Sequence, residues 1–255
     1  MSVLLMCLNN PWEGTTLSTY SGHAARDTSC GLIAGDESEV RCVRAQVTIS
    51  KLDHMVDKLS DAYSRRAAEY IELFGSMSAV HPSDRQLVTT WASGIKGSVI
   101  DAGCGPGQWT NFLAELGLPA RGTDLVPEFI ERGRATYPEV QFTIGSLDAL
   151  DAVDGSVGGI LAWYSLIHHE PSAIAGPLLE FNRALKSDGT LLIGFFEGPV
   201  VEEFAHAVAP AYRWSVDDLS GELTAAGFDV VESHVRKTSG QRSQAAIIAR
   251  RGVAA

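Results

Sequence analysis

The sequence has few of the features that mark several common protein classes. It contains four cysteines in 255 residues, and no two of them form a C-x-x-C pair. A disulfide framework and a cysteine-based zinc site are therefore not indicated, and the cysteine content fits a reducing, cytoplasmic setting. The apolar run within the first eight residues has no basic residue before it. We expect neither a signal peptide nor a membrane association.

Positive charge is also scarce. Lys and Arg total 20 against 31 Asp and Glu, which gives a formal net charge of −11, and no block of five like charges occurs. Proteins that bind nucleic acid neutralise phosphates with clustered Lys and Arg, and this chain has no such cluster. We therefore expect a small-molecule partner and no nucleic acid. The sequence leaves open whether the protein is a monomer or a homodimer.

The pattern of the chain changes near residue 50. Residues 1–50 are rich in turn formers and show no sustained hydrophobic period, which predicts an irregular or disordered N-terminal extension. From Lys51 to Phe74, apolar residues recur at helical spacing and predict an amphipathic helix of about six turns. Residues 51–255 are long enough for one domain with a substantial core.

Apolar segments of strand length alternate with helical patterns from residue 98 onward. The predicted strands are 98–102, 120–124, 140–144, 157–163, 190–196, 228–235 and 245–250. The predicted helices that follow strands are 107–116, 127–137, 171–185 and 215–226. This alternation predicts an α/β fold, a Rossmann-like, doubly wound and mostly parallel seven-stranded sheet. The turn-like residues before 245 predict that the last two strands form a C-terminal antiparallel hairpin.

A glycine-rich loop follows the first predicted strand. The run from Asp101 to Gly107 reads DAGCGPG and leads directly into a helix. In such folds ligands bind outside the carboxyl ends of the strands, and glycine allows the backbone to approach the ligand closely. Asp124 ends the second predicted strand, where a carboxylate can accept hydrogen bonds from both hydroxyls of a ribose.

Two cofactor classes compete for this loop. A nicotinamide dinucleotide requires G-x-G-x-x-G, and Gln108 stands at the third glycine position. The carboxylate of Asp101 would repel a pyrophosphate but attract the amino group of a methionine moiety. The loop therefore favours S-adenosyl-L-methionine (SAM). An NAD-dependent oxidoreductase is the weaker alternative, since the chain also lacks a Tyr-x-x-x-Lys pair, and a non-catalytic SAM-binding protein remains open.

These residues resemble the first motif of the class I SAM-dependent methyltransferases. From residue 63 to 250 the pattern is similar to the small-molecule members called methyltransferase type 11. The resemblance implies that Asp124 holds the ribose, and that Leu125 and the loop of Ser146 and Leu147 lie against adenine. Many members have an acid where Ser146 stands. The expected cofactor-binding residues are Tyr63, Tyr70, Asp101, Gly103, Cys104, Gly105, Asp124, Leu125, Ser146, Leu147 and Trp163.

The segment after the fourth predicted strand carries the candidate catalytic residues. His168 and His169 are candidate general bases, because imidazole titrates near neutral pH. Either ring could instead cap the following helix. Adjacent side chains rarely converge on one ion, so we expect no metal. The family's Asn-Pro-Pro-Tyr type of motif is absent after strand four, which disfavours adenine in DNA and glutamine as targets.

Aromatic residues are frequent in 195–214, between the fifth strand and the last helix. They fit an apolar or planar acceptor, and a role in closing the edge of the core is equally open. The sequence thus predicts a cytoplasmic, metal-independent transferase that moves a methyl group from SAM to an oxygen or nitrogen of a small molecule.

Overall fold

A computed structural model of the chain describes residues 58–252. The extension predicted for residues 1–50 and the first turns of the predicted N-terminal helix lie outside the described residues. Residues 58–64 are helical, and after a turn at 65 and 66 the chain continues as a helix. We call residues 58–74 the N-terminal segment.

Helices and strands alternate along the described chain as the hydrophobic pattern predicts. The helices are α1 (Ala67–Phe74), α2 (Pro82–Ser93), α3 (Gln108–Glu115), α4 (Pro127–Thr136), α5 (Ala175–Ala184) and α6 (Val216–Ala225). The strands are β1 (Val99–Ala102), β2 (Ala120–Asp124), β3 (Gln141–Ile144), β4 (Val157–Trp163), β5 (Leu185–Phe196), β6 (Glu202–Phe204), β7 (Ala211–Arg213), β8 (Phe228–Arg236) and β9 (Gln244–Arg251).

Seven of the strands form one sheet in the order β3-β2-β1-β4-β5-β9-β8. The pairs from β3 to β5 are all parallel, whereas β9 runs antiparallel to both β5 and β8. The predicted fold class, including the antiparallel C-terminal hairpin, is confirmed. In this order the carboxyl ends of β1, β2 and β4 meet at one edge of the sheet, where the chain leaves β1 toward α3 and β4 toward α5.

The central strands are buried because helices cover both faces of the sheet. All four residues of β1 and all but Trp163 of β4 are buried. Alternate residues of these strands join two separate core clusters, one that includes Leu178 and Phe181 of α5 and one that includes Val88 and Trp91 of α2. A parallel sheet of this kind needs cover on both faces, which explains the nearly continuous apolar runs of the central strands.

The prediction of one continuous N-terminal helix is wrong in the part that the structure describes. The helix is interrupted because Arg66 adopts φ −117° and ψ 11°, which are not helical values. The guanidinium of Arg66 donates to the carbonyl of Ala207, between β6 and β7, and to the carboxylate of Glu69. The interruption leaves Tyr63 and Tyr70 on either side of a turn.

Three further boundaries differ from the predictions. Residues 171–185 divide into a 3-10 turn, Pro171–Ala173, followed by α5. The predicted turn at 187–189 lies inside β5 as a bulge, because Val157 pairs with Leu185 and Gly159 already pairs with Thr190. Residues 197–214, for which no strand was predicted, contain the antiparallel hairpin of β6 and β7.

Within residues 58–252 no helix is long and apolar enough to cross a membrane. The same residues contain no group of three or more His, Cys, Asp and Glu side chains placed to hold a metal ion.

Adjoining pockets at the carboxyl ends of the strands

Two adjoining pockets open at the carboxyl ends of β1, β2 and β4. The first, which we call the β2 pocket, is lined by residues that include Asp124, Leu125 and Leu147. The second, which we call the β5 pocket, is lined by residues that include Phe196 and Gln244. Both pockets share one set of walls, which is formed by Tyr63, Tyr70, Gly103, Gly105, Trp163 and Tyr164. A ligand that fills the β2 pocket therefore meets a ligand in the β5 pocket at these side chains.

The glycine loop is fixed to β2 by its backbone. The amides of Gly103 and Cys104 both donate to the carbonyl of Thr123, at 2.8 and 3.0 Å. Gly103 has φ +76°, and a Cβ at this position would lie 2.3 Å from Cβ of Ser165. The loop thus passes against the segment after β4 so closely that only glycine fits. A Cβ on Gly105 would meet nothing nearer than the ring of Tyr70 at 3.8 Å, so the backbone there faces the pocket.

Asp124 holds the loop from the end of β2. Its Oδ2 accepts from the amide of Gly105 at 2.8 Å, and its Oδ1 accepts from the amide of Val126 at 2.9 Å. Burial raises the pKa of this carboxyl, and the two backbone hydrogen bonds oppose that rise by stabilising the charged form. The carboxylate is therefore a fixed group at the mouth of the β2 pocket.

Asp101 is buried at the tip of β1, with 1% of its surface exposed. Burial raises the pKa of its carboxyl to about 7, although the hydroxyl of Thr110 donates to its Oδ2 at 2.6 Å and lowers the value. Gln108 lies nearby on the wall of the β5 pocket, and its Oε1 is buried with no hydrogen-bond partner among the described residues. The unpartnered Oε1 of Gln108, together with the buried carboxyl of Asp101, fits a ligand that carries a positive charge or N–H groups.

Cys104 is buried within the loop itself. Burial raises the pKa of its thiol, and the carboxylates of Asp124 and Asp101 raise it further. The thiol is therefore protonated at neutral pH and is not an activated nucleophile.

Aromatic rings form most of the shared wall. Tyr63 packs edge to face on Phe129 at 6.0 Å, and Tyr70 packs on the same ring at 5.0 Å. Trp163 contacts Tyr164, whose ring centroid lies 5.5 Å away. Tyr164 has φ +58°, a value that a non-glycine residue rarely adopts, and its amide donates to the carbonyl of Gly194. The walls therefore present aromatic surfaces to a ligand in either pocket.

His168 is held on both sides of its ring. Its Nε2 lies 2.8 Å from the hydroxyl of Tyr63, and its Nδ1 lies 2.8 Å from the carbonyl of Pro210. A carbonyl can only accept, so Nδ1 carries the proton and Nε2 accepts from the hydroxyl of Tyr63. Burial lowers the pKa of the ring to about 4, and the imidazole is neutral at neutral pH. His168 thereby joins the N-terminal segment to the β6–β7 hairpin.

His169 and Ser146 lie in a third, outer pocket beside the β2 pocket. The Nε2 of His169 is 3.7 Å from Oδ2 of Asp148, and Ser146 Oγ donates to the same oxygen at 3.2 Å. This contact with His169 lowers the pKa of the Asp148 carboxyl. Neither His169 nor Ser146 lines the β2 or the β5 pocket.

The structure brings most of the predicted binding residues to the two adjoining pockets. Those that line one or both are Tyr63, Tyr70, Asp101, Gly103, Cys104, Gly105, Asp124, Leu125, Leu147 and Trp163. His168 lines both the β2 pocket and the outer pocket, whereas Ser146 and His169 line the outer pocket alone.

Several polar residues of the β5 pocket were not predicted as site residues, and they include Gln108, Asp84 and Gln244. Gln108 directly follows the glycine loop, so its place could have been found from the loop itself. Asp84 and Gln244 come from the first turn of α2 and the start of β9. They are 160 positions apart in the sequence, and no local pattern connects them.

Comparison with known protein sequences finds methyltransferases. Residues 99–189, which run from β1 into the bulge of β5, match the family described as a methyltransferase domain. The chain is 25% identical over 185 residues to the 2-heptyl-1-hydroxyquinolin-4(1H)-one methyltransferase of Mycobacteroides abscessus. That alignment covers 66% of this chain and 81% of the relative.

Solved structures share the fold. The 1,6-didemethyltoxoflavin-N1-methyltransferase of Burkholderia thailandensis, solved with 1,6-didemethyltoxoflavin and S-adenosylhomocysteine, is similar with a TM-score of 0.58 and 21% identity. The similarity covers 88% of this chain and 94% of that chain. The [4+2]-cyclase SpnF is also similar, with a TM-score of 0.58, 18% identity and coverage of 67% and 81%. The fold alone therefore does not fix the reaction.

Proposed function

We propose that this chain, whose residues 99–189 match a methyltransferase domain, is a class I SAM-dependent methyltransferase that methylates an oxygen or nitrogen atom of a small, planar molecule bound in the β5 pocket. The observation that carries the proposal is the shared wall of the two pockets. A cofactor that extends from Asp124 past the glycine loop would place its reactive end beside Trp163 and Tyr164. These two residues line both pockets, so the reactive end would face a ligand in the β5 pocket.

The residues of the β2 pocket fit the nucleoside part of SAM. Asp124 uses one lone pair of each oxygen for a backbone amide, and a carboxylate has about four such sites, so two remain for the ribose hydroxyls. Leu125 and Leu147 line the same pocket and offer apolar surfaces to adenine. Ser146 is turned toward Asp148, so we assign adenine binding to the leucines and not to the Ser146 side chain.

The residues at the tip of β1 fit the methionine part. The unpartnered Oε1 of Gln108 and the carboxyl of Asp101 would accept hydrogen bonds from its amino group. A nearby positive charge stabilises a carboxylate and lowers its pKa, so this contact would hold Asp101 in the ionised form. Gly103 and Gly105 allow the backbone to lie against the ligand.

When bound, SAM supplies a methyl group that is activated for in-line attack by its sulfonium. The chain positions the acceptor, and orientation alone can contribute about 7–11 kcal/mol to the reaction. The aromatic walls exclude water from the point where the pockets meet. Of the two histidines predicted as bases, His168 has both ring nitrogens occupied. We assign it a positioning role toward Tyr63, and a base role for His169 stays a prediction.

The acceptor class follows from the lining of the β5 pocket. Trp163, Tyr164 and Phe196 present aromatic surfaces to it, and such surfaces favour flat ligands. The relative that methylates a hydroxyquinolone, a flat bicyclic molecule, supports the same class.

The proposal is tested by calorimetry and by transfer of a radiolabelled methyl group. We expect SAM and S-adenosylhomocysteine to bind in the micromolar range, and label from SAM to appear in at least one member of a panel of hydroxylated and N–H heteroaromatics. Absence of binding at high micromolar concentration would refute the assignment of the cofactor. Binding of both nucleosides without transfer to any panel member would instead favour a non-methylating use of the fold, as in the cyclase.

His168→Ala is expected to weaken SAM binding about fivefold, because the hydrogen bond that holds Tyr63 is worth about 1 kcal/mol. At saturating SAM, kcat and its pH profile should stay within a factor of two. Tyr63→Phe removes the same bond from the other side, so the double variant should be no weaker than either single one. A loss of kcat with an altered pH profile at unchanged SAM affinity would make His168 the base.

A further inference from the structure

A polar cluster lies at the end of the β5 pocket that is remote from Asp124. Asp84 from α2 and Gln244 from β9 both line the pocket, and Arg236 at the end of β8 joins them. One nitrogen of Arg236, Nη2, donates to Oδ2 of Asp84 at 2.8 Å and to Oε1 of Gln244. The side chains of Asp84 and Arg236 are 17% and 18% exposed, so this ion pair is shielded from bulk water.

The cluster has hydrogen-bonding capacity left over. Oδ1 of Asp84 accepts a long hydrogen bond of 3.3 Å from Ser83 and can accept another. Gln244 uses its oxygen for Arg236, which leaves its amide nitrogen to donate. Nε of Arg236 is buried and has no partner among the described residues. Burial also raises the pKa of the Asp84 carboxyl, although the charges of Arg236 and His81 lower it.

The wall beside this cluster is aromatic. The ring of Tyr164 packs on Phe196 with centroids 5.1 Å apart, and both line the pocket with Trp163. The pocket is also lined by His81 and His206, so a polar group of a ligand that lies against these rings meets the cluster or one of the two imidazoles. The remaining acceptor of Asp84 and the remaining donor of Gln244 each cost free energy unless the ligand satisfies them, so the cluster discriminates between ligands.

We propose that Asp84 and Gln244, held by Arg236, recognise the methyl acceptor through a lactam-type edge, in which an N–H group stands beside a carbonyl. The N–H donates to Oδ1 of Asp84, and the carbonyl accepts from the amide nitrogen of Gln244. The flat ring that carries this edge lies against the surface that Tyr164 and Phe196 present to the pocket, with its opposite side toward the cofactor. This inference rests on the proposed function and adds the chemical class of the acceptor and the residues that select it.

The test uses two flat bicyclic probes that differ in this edge alone. Pteridine-2,4-dione carries N–H groups beside its carbonyls, and in 1,3-dimethylpteridine-2,4-dione the same nitrogens are methylated. Each probe is titrated by its fluorescence into the whole chain saturated with S-adenosylhomocysteine, so that no transfer occurs and the readout is affinity. We expect the N–H probe to bind at least tenfold more tightly, a difference of about 1.4 kcal/mol.

Two variants separate the contributions of Asp84 and Gln244 to the affinity for the probes. Asp84→Asn removes the charge, and its amide can present a donor to the N–H, so the discrimination between the probes should fall to within a factor of two. Gln244→Glu keeps the size of the side chain and its contact with Arg236, and replaces the donor by an acceptor. It should weaken both probes at least fivefold, because both retain the carbonyls. Asp217→Asn is the matched control, since Asp217 is also an acid in the first turn of a helix but is exposed.

The outcomes are distinguishable from failure of the proposed function. Binding of S-adenosylhomocysteine is measured first in every variant and should be unchanged, which also shows that each variant is folded. If the chain binds this nucleoside but neither probe, or binds both probes equally, the lactam-edge proposal is overturned while the methyltransferase assignment stands. A discrimination between the probes that survives in Asp84→Asn, or an unchanged affinity for both probes in Gln244→Glu, overturns it as well. If the nucleoside itself does not bind, the proposed function fails.

Discussion

Gly103→Ala is expected to abolish measurable binding of S-adenosylhomocysteine and to lower the Tm. At φ +76° a side chain costs about 1–2 kcal/mol, and the new Cβ would lie 2.3 Å from Cβ of Ser165. Relieving such an overlap costs about 1–3 kcal/mol more and moves the glycine loop or the segment after β4, both of which line the pockets. Calorimetry and thermal unfolding measure the two effects.

Gly117→Ala is the matched control for this variant. Gly117 has φ +88°, similar to that of Gly103, but a Cβ there meets nothing within 4 Å. It should therefore show the backbone penalty alone, which corresponds to a fall of about 2–8 °C in Tm, and retain full affinity for the nucleoside. If Gly103→Ala behaves like Gly117→Ala in both measurements, the close approach of the loop to Ser165 is not what shapes the pocket.

Asp124→Ala is expected to weaken binding of S-adenosylhomocysteine at least tenfold, or about 1.4 kcal/mol. Two causes act together. The variant loses the group that we assign to the ribose, and it leaves the amides of Gly105 and Val126 without their acceptor. Asp151→Ala, which changes an exposed acid elsewhere, serves as the control and should leave affinity and stability unchanged.

A thermodynamic cycle separates the two causes. In the native protein, an analogue of S-adenosylhomocysteine that lacks both ribose hydroxyls should bind at least tenfold more weakly than the parent compound. In Asp124→Ala the two compounds should bind alike, because the partner of the hydroxyls is gone. If the analogue is penalised equally in both proteins, Asp124 acts only through the glycine loop, and the ribose assignment is wrong.

The parts of the fold that depend on local pattern are predictable from the sequence. The bounds of β2 and β4 agree with the strands predicted at 120–124 and 157–163, and the alternation of strands with helices indicates the parallel sheet. The capping of α6 by Ser215, which accepts from the amide of Asp218, is likewise a local signal. The glycine loop and Asp124 could be placed together because the carboxyl ends of neighbouring parallel strands meet.

The remaining features depend on contacts between distant parts of the chain. The interruption at Arg66 is accompanied by a bond to Ala207, 141 residues away, which no helical period can indicate. The bulge in β5 results from the register with β4, and the β6–β7 hairpin is too short to show a pattern of its own. The role of His168 also becomes visible only when Tyr63 and Pro210 are placed beside it.

The walls common to the β2 and β5 pockets have a consequence for how the two ligands influence each other. A ligand that fixes Tyr63 and Trp163 in one arrangement also fixes part of the surface that the other ligand meets. The free energy of this coupling is a single quantity, so the factor by which the cofactor tightens acceptor binding must equal the factor by which the acceptor tightens cofactor binding. S-adenosylhomocysteine, left in place after turnover, would then hold the protein in a form that still attracts fresh acceptor. Removal of S-adenosylhomocysteine would therefore have two effects. It would free the cofactor site, and it would prevent the non-productive complex of protein, S-adenosylhomocysteine and acceptor.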